Sequence, residues 1–154
     1  MDKDIFLKSS FNQQNRMFLR AAENGDNNSL VWMANNAQYS IDKAMWGACN
    51  HRQIETMKLL YGMGAKMKAG YFVSAVLKNW TDMAMWLYTI DRTCIDEYII
   101  NNWFCLLIIV CNNRQMAMLS WFLERYKVNR EQLASSIIHD DVKRFLVSEY
   151  SGHS

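Results

Sequence analysis

Three columns of apolar residues recur along the chain at identical offsets, and this limits its fold more than any other feature. Ala21, Ala48, Val76 and Val110 form one column, Leu30, Met57, Met85 and Leu119 a second, and Met33, Leu60, Tyr88 and Phe122 a third. In each column the successive offsets are 27, 28 and 34 residues. Internal periods of this length mark stacked supersecondary units. The second and third columns stand three residues apart, which places them on one face of a helix. One helix pair cannot cover such a face alone, so each unit must pack on the next.

The units read as helical. Proline is absent, there are six glycines among 154 residues, and apolar residues step by three and four with no run of strict alternation. The pattern predicts helices over 14–24, 28–36, 41–50, 53–62, 70–79 and 82–90. A turn or short helical piece follows at 95–100, then a pair over 101–113 and 114–126, then closing helices over 130–138 and 140–150. Cys49 and Cys111 fall at equivalent ends of inner helices, where small semi-apolar side chains fit between layers. Asn50 and Asn112 fall at the turns, where a short amide caps exposed backbone.

Length and a 51% hydrophobic content give one folded domain with a sizeable core. The net charge is +2, and the seventeen basic residues are scattered, which speaks against nucleic-acid binding. Cys49, Cys94, Cys105 and Cys111 include no close CxxC pair, and residues 1–17 hold no apolar stretch of signal-peptide length. The expectation is a cytoplasmic protein with reduced, mostly buried thiols, in which the sequon at Asn79 plays no part. The run from Trp103 to Cys111 has nine residues, about half a membrane span, and reads as a buried helix with no membrane partner.

The units resemble ankyrin repeats in a degenerate form. Residues 20–33, "RAAENGDNNSLVWM", show the alanine pair and glycine turn; residues 47–67 show Ala48, Ile54, Leu59, Leu60 and the closing Gly64-Ala65. Residues 74–88 and 109–123 keep the helical spacing and little else. The resemblance covers about residues 14–126. It lacks the Thr-Pro-Leu-His opening, and its early spacings are near 27 instead of the usual 33, so protruding loops should be short except for something larger between Thr89 and Asn102. The texture, rich in Asn, Met, Trp and Cys, is similar to the multigene-family ankyrin-like proteins of the African swine fever virus group. That resemblance implies a host-interaction protein that blunts interferon and inflammatory signalling in the host cytoplasm.

Catalytic readings find little support. Cys49 and His51 are two residues apart and point away from each other on a helix. Cys105 and Cys111 have no metal-ligand spacing. Asp140 and Asp141 after His139 are accounted for by a helix start, and "GMGAKM" lacks a preceding strand and a closing Lys-Ser/Thr. No catalytic, metal or cofactor site is expected.

The aromatic inventory points to an interface. Trp32, Trp46, Trp80, Trp86, Trp103 and Trp121 sit among many methionines, and both residue types serve either repeat cores or desolvated interface centres. The candidate surface, on the flanks of inner helices, is Trp46, His51, Lys78, Trp80 and Asn113, with Arg52 and Arg114 at its rims. If Met85 and Tyr88 face the stack, Trp86 lies toward its flank.

The expected organisation is one domain over 1–154. Residues 1–13 form an arm or lid offering Ile5, Phe6, Leu7 and Phe11; 14–126 form four repeats; 127–150 form a cap using Leu133, Ile137, Ile138, Val142, Phe145 and Leu146, with 149–154 fraying. The expected fold is thus all-α, a short solenoid of ankyrin-like helix pairs with a helical C-terminal cap. The expected function is non-enzymatic binding of a host or viral protein, with a self-associating structural or assembly subunit as the alternative and a homodimer among the expected partners.

Overall fold

A computed structural model describes residues 2–36 and 39–148, and the expected fraying at 149–154 lies outside them. The described residues are all-α, built by paired-helix packing. Eleven helices are found among them: α1 (Lys3–Lys8), α2 (Phe11–Asn24), α3 (Asn27–Ala34), α4 (Ile41–Asn50), α5 (Ile54–Gly62), α6 (Ala69–Leu77), α7 (Thr81–Ile90), α8 (Arg92–Asn112), α9 (Met116–Arg125), α10 (Arg130–Ser135) and α11 (Asp140–Ser148). The chain divides into two compact units, Met1–Ser74 and Ala75–Ser154, the division falling inside α6.

One turn closes α2, α4, α6 and α8, and Gly64 repeats it after α5, where Ala65 N donates to Leu60 O and Gly64 N to Tyr61 O, both at 3.0 Å. Gly25, Arg52, Asn79 and Arg114 all have positive φ, between 54° and 72°. The amide after each donates five residues back: Asp26 N to Ala21 O (2.9 Å), Gln53 N to Ala48 O (2.9 Å), Trp80 N to Ala75 O (2.8 Å) and Gln115 N to Val110 O (3.0 Å). The left-handed residue itself donates to the carbonyl of Ala22, Cys49, Val76 or Cys111. This pair of bonds is the Schellman motif, which satisfies carbonyls orphaned at a helix end. Cys49 and Cys111 are therefore equivalent, as their neighbours in sequence suggested, and both are buried.

The turn corrects the register of the third unit by one residue. The equivalent positions are Ala21, Ala48, Ala75 and Val110; then Leu30, Met57, Ala84 and Leu119; then Met33, Leu60, Leu87 and Phe122. The offsets are accordingly 27, 27 and 35. Met85, expected in the core, is 38% exposed, and Tyr88 is only partly buried, whereas Met83, Ala84 and Leu87 are fully buried. Trp86 is partly buried.

In the first unit, α2 packs on α3 and on α4, and α4 packs on α5. Phe18, Met45, Leu30, Met33, Met57 and Leu60 fill the space between them. Polar ties join the pairs: Thr56 Oγ1 donates to Asn27 Oδ1 at 2.7 Å, and Gln53 Nε2 to Glu23 O at 3.2 Å. The expected arm is the short helix α1, started by Asp2, whose carboxylate accepts from Asp4 N and Ile5 N. It rests on α2, and Phe6 is buried with its ring edge-on to Trp32 at 5.6 Å. Ile5, Leu7 and Phe11 are more than half exposed.

Gly25 is needed at its turn. Its φ is +72°, and a Cβ there would stand 2.6 Å from Gln53 Oε1, so alanine would be strained and would displace the side chain that caps Glu23. Gly25→Ala is expected to lower stability by about 1–2 kcal/mol, read from the urea midpoint.

In the second unit, α8 packs on α7, α9 and α10. It absorbs the residues expected to form a turn or short helical piece and a separate helix: 95–100 and 101–112 both lie in one continuous helix of 21 residues. The extra length expected between Thr89 and Asn102 is therefore helical rather than a protruding loop, and only Asp91 separates α7 from α8. Asp91 caps it by accepting from Cys94 N at 3.1 Å. By length and composition α8 could cross a membrane; 33% of its apolar window is buried, and Ile95, Ile99, Leu106, Leu107, Val110 and Cys111 are its buried residues. The closing pair α10 and α11 buries Leu133, Ile137, Val142 and Leu146; Phe145 is partly covered, and Ile138, expected in the cap, is 73% exposed. Asn112 holds this segment, its carbonyl oxygen lying 3.1 Å from His139 Nε2.

Candidate functional site

A groove runs between α2 and α4 in the first unit. The two helices come close because Gly47 has no side chain: a Cβ there would lie 2.6 Å from Leu19 Cδ1 and 3.1 Å from Glu23 Cγ. Along the groove lie two clefts, of about 360 Å³ and about 380 Å³, which share Leu19 and Lys43. The first is lined also by Trp46, His51 and Glu23, the second by Phe11, Asn15 and Arg16.

Trp46 projects from α4 with 46% of its surface exposed. Its ring leans on Tyr71, centroids 5.4 Å apart, and Tyr71 is buried, which pushes its phenol up to about 12. The indole is thus a supported apolar side chain presented to solvent. His51 ends α4; its Nδ1 is 3.0 Å from Gly47 O, and since a carbonyl only accepts, Nδ1 carries the hydrogen. Arg52 is the exposed left-handed residue of the turn.

The remaining expected residues belong to the second unit. Lys78 Nζ sits 4.6 Å over the Trp80 ring, a cation–π pair beside the α6–α7 turn. Asn113 follows α8 and is exposed; Arg114 reaches Asp141 at 3.5 Å, both half exposed. The structure therefore brings Trp46 and His51 to one cleft, pairs Lys78 with Trp80, and gives Arg114 an ion-pair role with the cap. Of the tryptophans whose role the sequence left open, Trp121 is core and Trp46 is surface.

Cys49 and His51 do not form a pair: the Cys49 thiol is buried toward Tyr71 O at 3.8 Å, and His51 turns to Gly47. Burial raises the Cys111 thiol to about 12, so it stays protonated at neutral pH. Among the described residues no three His, Cys, Asp or Glu side chains are grouped to hold a metal ion.

No family model, curated protein or solved structure matches the chain.

Sequence reasoning missed a cluster in the second unit. Asp96 of α8 accepts from Arg92 Nε at 3.1 Å and, through a short hydrogen bond, from the Tyr126 hydroxyl. Arg125 lies over Trp121 at 4.6 Å and over Tyr88 at 5.8 Å, and Tyr88 meets Trp121 edge-on at 4.8 Å. These residues tie α7, α8 and α9 together, and the only sequence signal was the Arg92–Asp96 spacing of four on one helix.

Proposed function

We propose that the chain is a non-enzymatic protein-interaction module, a short solenoid of ankyrin-like helix pairs with a helical C-terminal cap. The recurrence of one Schellman turn at Gly25, Arg52, Asn79 and Arg114, each followed by an outer helix with equivalent buried residues, supports the repeat reading. The observation that carries the binding reading is Trp46, braced by Tyr71 and exposed over a groove with Leu19 at its floor. Supported aromatics beside apolar grooves are the usual energetic centres of interfaces. With the resemblance in sequence texture, this reading extends to a viral protein acting in the host cytoplasm to inhibit innate immune signalling.

Affinity capture from host-cell lysate, followed by reconstitution with the purified partner, tests it. Trp46→Ala is expected to weaken the reconstituted complex by about 30-fold or more, the effect of losing a hot-spot residue of about 2 kcal/mol. An undiminished affinity with equal helicity would move the interface away from the groove. The exposed Ile5, Leu7 and Phe11 favour a second reading, self-association through the N-terminal helix. Sedimentation of a stable dimer abolished by Leu7→Glu would establish it.

A further inference from the structure

We propose that the α2–α4 groove takes an acidic peptide segment of a partner protein, its carboxylates against Arg16 and Lys43 and a neighbouring apolar side chain between Leu19 and Trp46; this rests on the protein-interaction reading above. Charge complementarity favours that occupant. Arg16 and Lys43 both line the cleft at the N-terminal end of α2, both are exposed, and neither is paired with a carboxylate among the described residues. No acidic side chain lines that cleft; its other polar groups are Asn12, Asn15 and Ser40. The Asn15 amide is already engaged, accepting from Ser40 N at 2.8 Å and donating to Phe11 O at 3.2 Å, so the two cations are its principal recognition groups.

The neighbouring cleft differs. Asp42 is committed to Lys68 at 3.2 Å, which leaves Glu23 facing the groove near His51 and the apolar Leu19 and Trp46 at its centre. A segment lying along the groove thus meets cations, then an apolar floor with an indole wall, then a carboxylate. An acid beside a large apolar residue satisfies the first two, whereas an acid at the far end of the groove meets Glu23, where like charges repel. The arrangement selects composition.

The test is selection of random twelve-residue peptides displayed on phage against the full chain and against an Arg16→Glu/Lys43→Glu variant. Both substitutions are at exposed positions, and circular dichroism checks that the variant keeps its helicity. Peptides enriched on the wild type are expected to carry net negative charge and a large apolar residue, to bind the variant about tenfold more weakly, and to weaken with added salt. They should also lose affinity on Trp46→Ala. Peptides of the same charge composition from both proteins, still sensitive to Trp46→Ala, would overturn the acidic assignment and leave the interaction module standing. No enrichment over bare support on either protein would remove both.

Discussion

Leu87→Ala is expected to lower stability by about 2–5 kcal/mol, and Met85→Ala by no more than about 1 kcal/mol. Leu87 is fully buried and is the third-unit equivalent of Met33, Leu60 and Phe122, all fully buried as well. Removing its isobutyl group leaves a cavity between packed helices, so the loss includes both the transfer of the missing atoms and the unfilled space. Met85 is 38% exposed, and truncation there trims a flexible side chain that solvent already reaches. Urea denaturation of the three proteins separates the two registers. A larger loss for Met85→Ala would return the third unit to the register its apolar spacing suggested and would undo the equivalence of the four turns.

The reason the register was illegible lies in particular residues. Met83 to Tyr88 includes no charged or small polar side chain, so sliding the column by one residue still finds apolar groups. The turn before it carries Asn79 in the left-handed conformation, with no glycine to mark the place as Gly25 does in the first unit. Helix existence was legible because three- and four-residue spacing is a local signal, and α2 to α7 and α9 begin and end within three residues of the expected limits. α8 was broken in two at Asn101, where the expected pair began; in the helix the Asn101 and Asn102 side chains reach back four residues, to Glu97 O at 2.8 Å and Tyr98 O at 3.0 Å. An asparagine pair that bonds its own helix is the same sequence as one that ends it.

Of the candidate surface, the sequence could pick out Trp46 because it stands on the flank of an inner helix and tryptophan is enriched at interface centres. It could not pick out Arg16, Leu19 or Lys43, since their meaning comes from the close approach of α2 to α4 at Gly47, a tertiary contact. Arg114 looked like a rim residue and instead pairs with Asp141 on α11. A single exposed arginine carries no sign of which carboxylate it will find.

Asp96→Asn is expected to cost about 1.5–3 kcal/mol at neutral pH, the range for hydrogen bonds to a charged group, and the cost should vanish in acid. Burial pushes the Asp96 carboxyl up, but hydrogen bonds from Tyr126, Arg92 and Tyr88 outweigh it, so its net displacement is below the ordinary carboxylate value. A depressed folded-state value means that the stabilisation is complete above the unfolded value of 3.8 and is lost as the pH falls through the folded one. Tyr126 runs the other way. Burial first, then the bond to Asp96, raises its phenol well above 10, so its contribution is complete below pH 10 and is lost as the pH rises beyond it. Urea midpoints of wild type, Asp96→Asn and Tyr126→Phe across pH 2.5 to 11 or so give both limbs. The wild type and Asp96→Asn should converge at the acid end, where the native carboxyl is as neutral as the amide. Tyr126→Phe should start lower and decline less steeply at the alkaline end, because the phenol that would ionise on unfolding is gone. A gap between wild type and Asp96→Asn that stays constant with pH would mean that the shape of the side chain, and not its charge, holds α8 to α9.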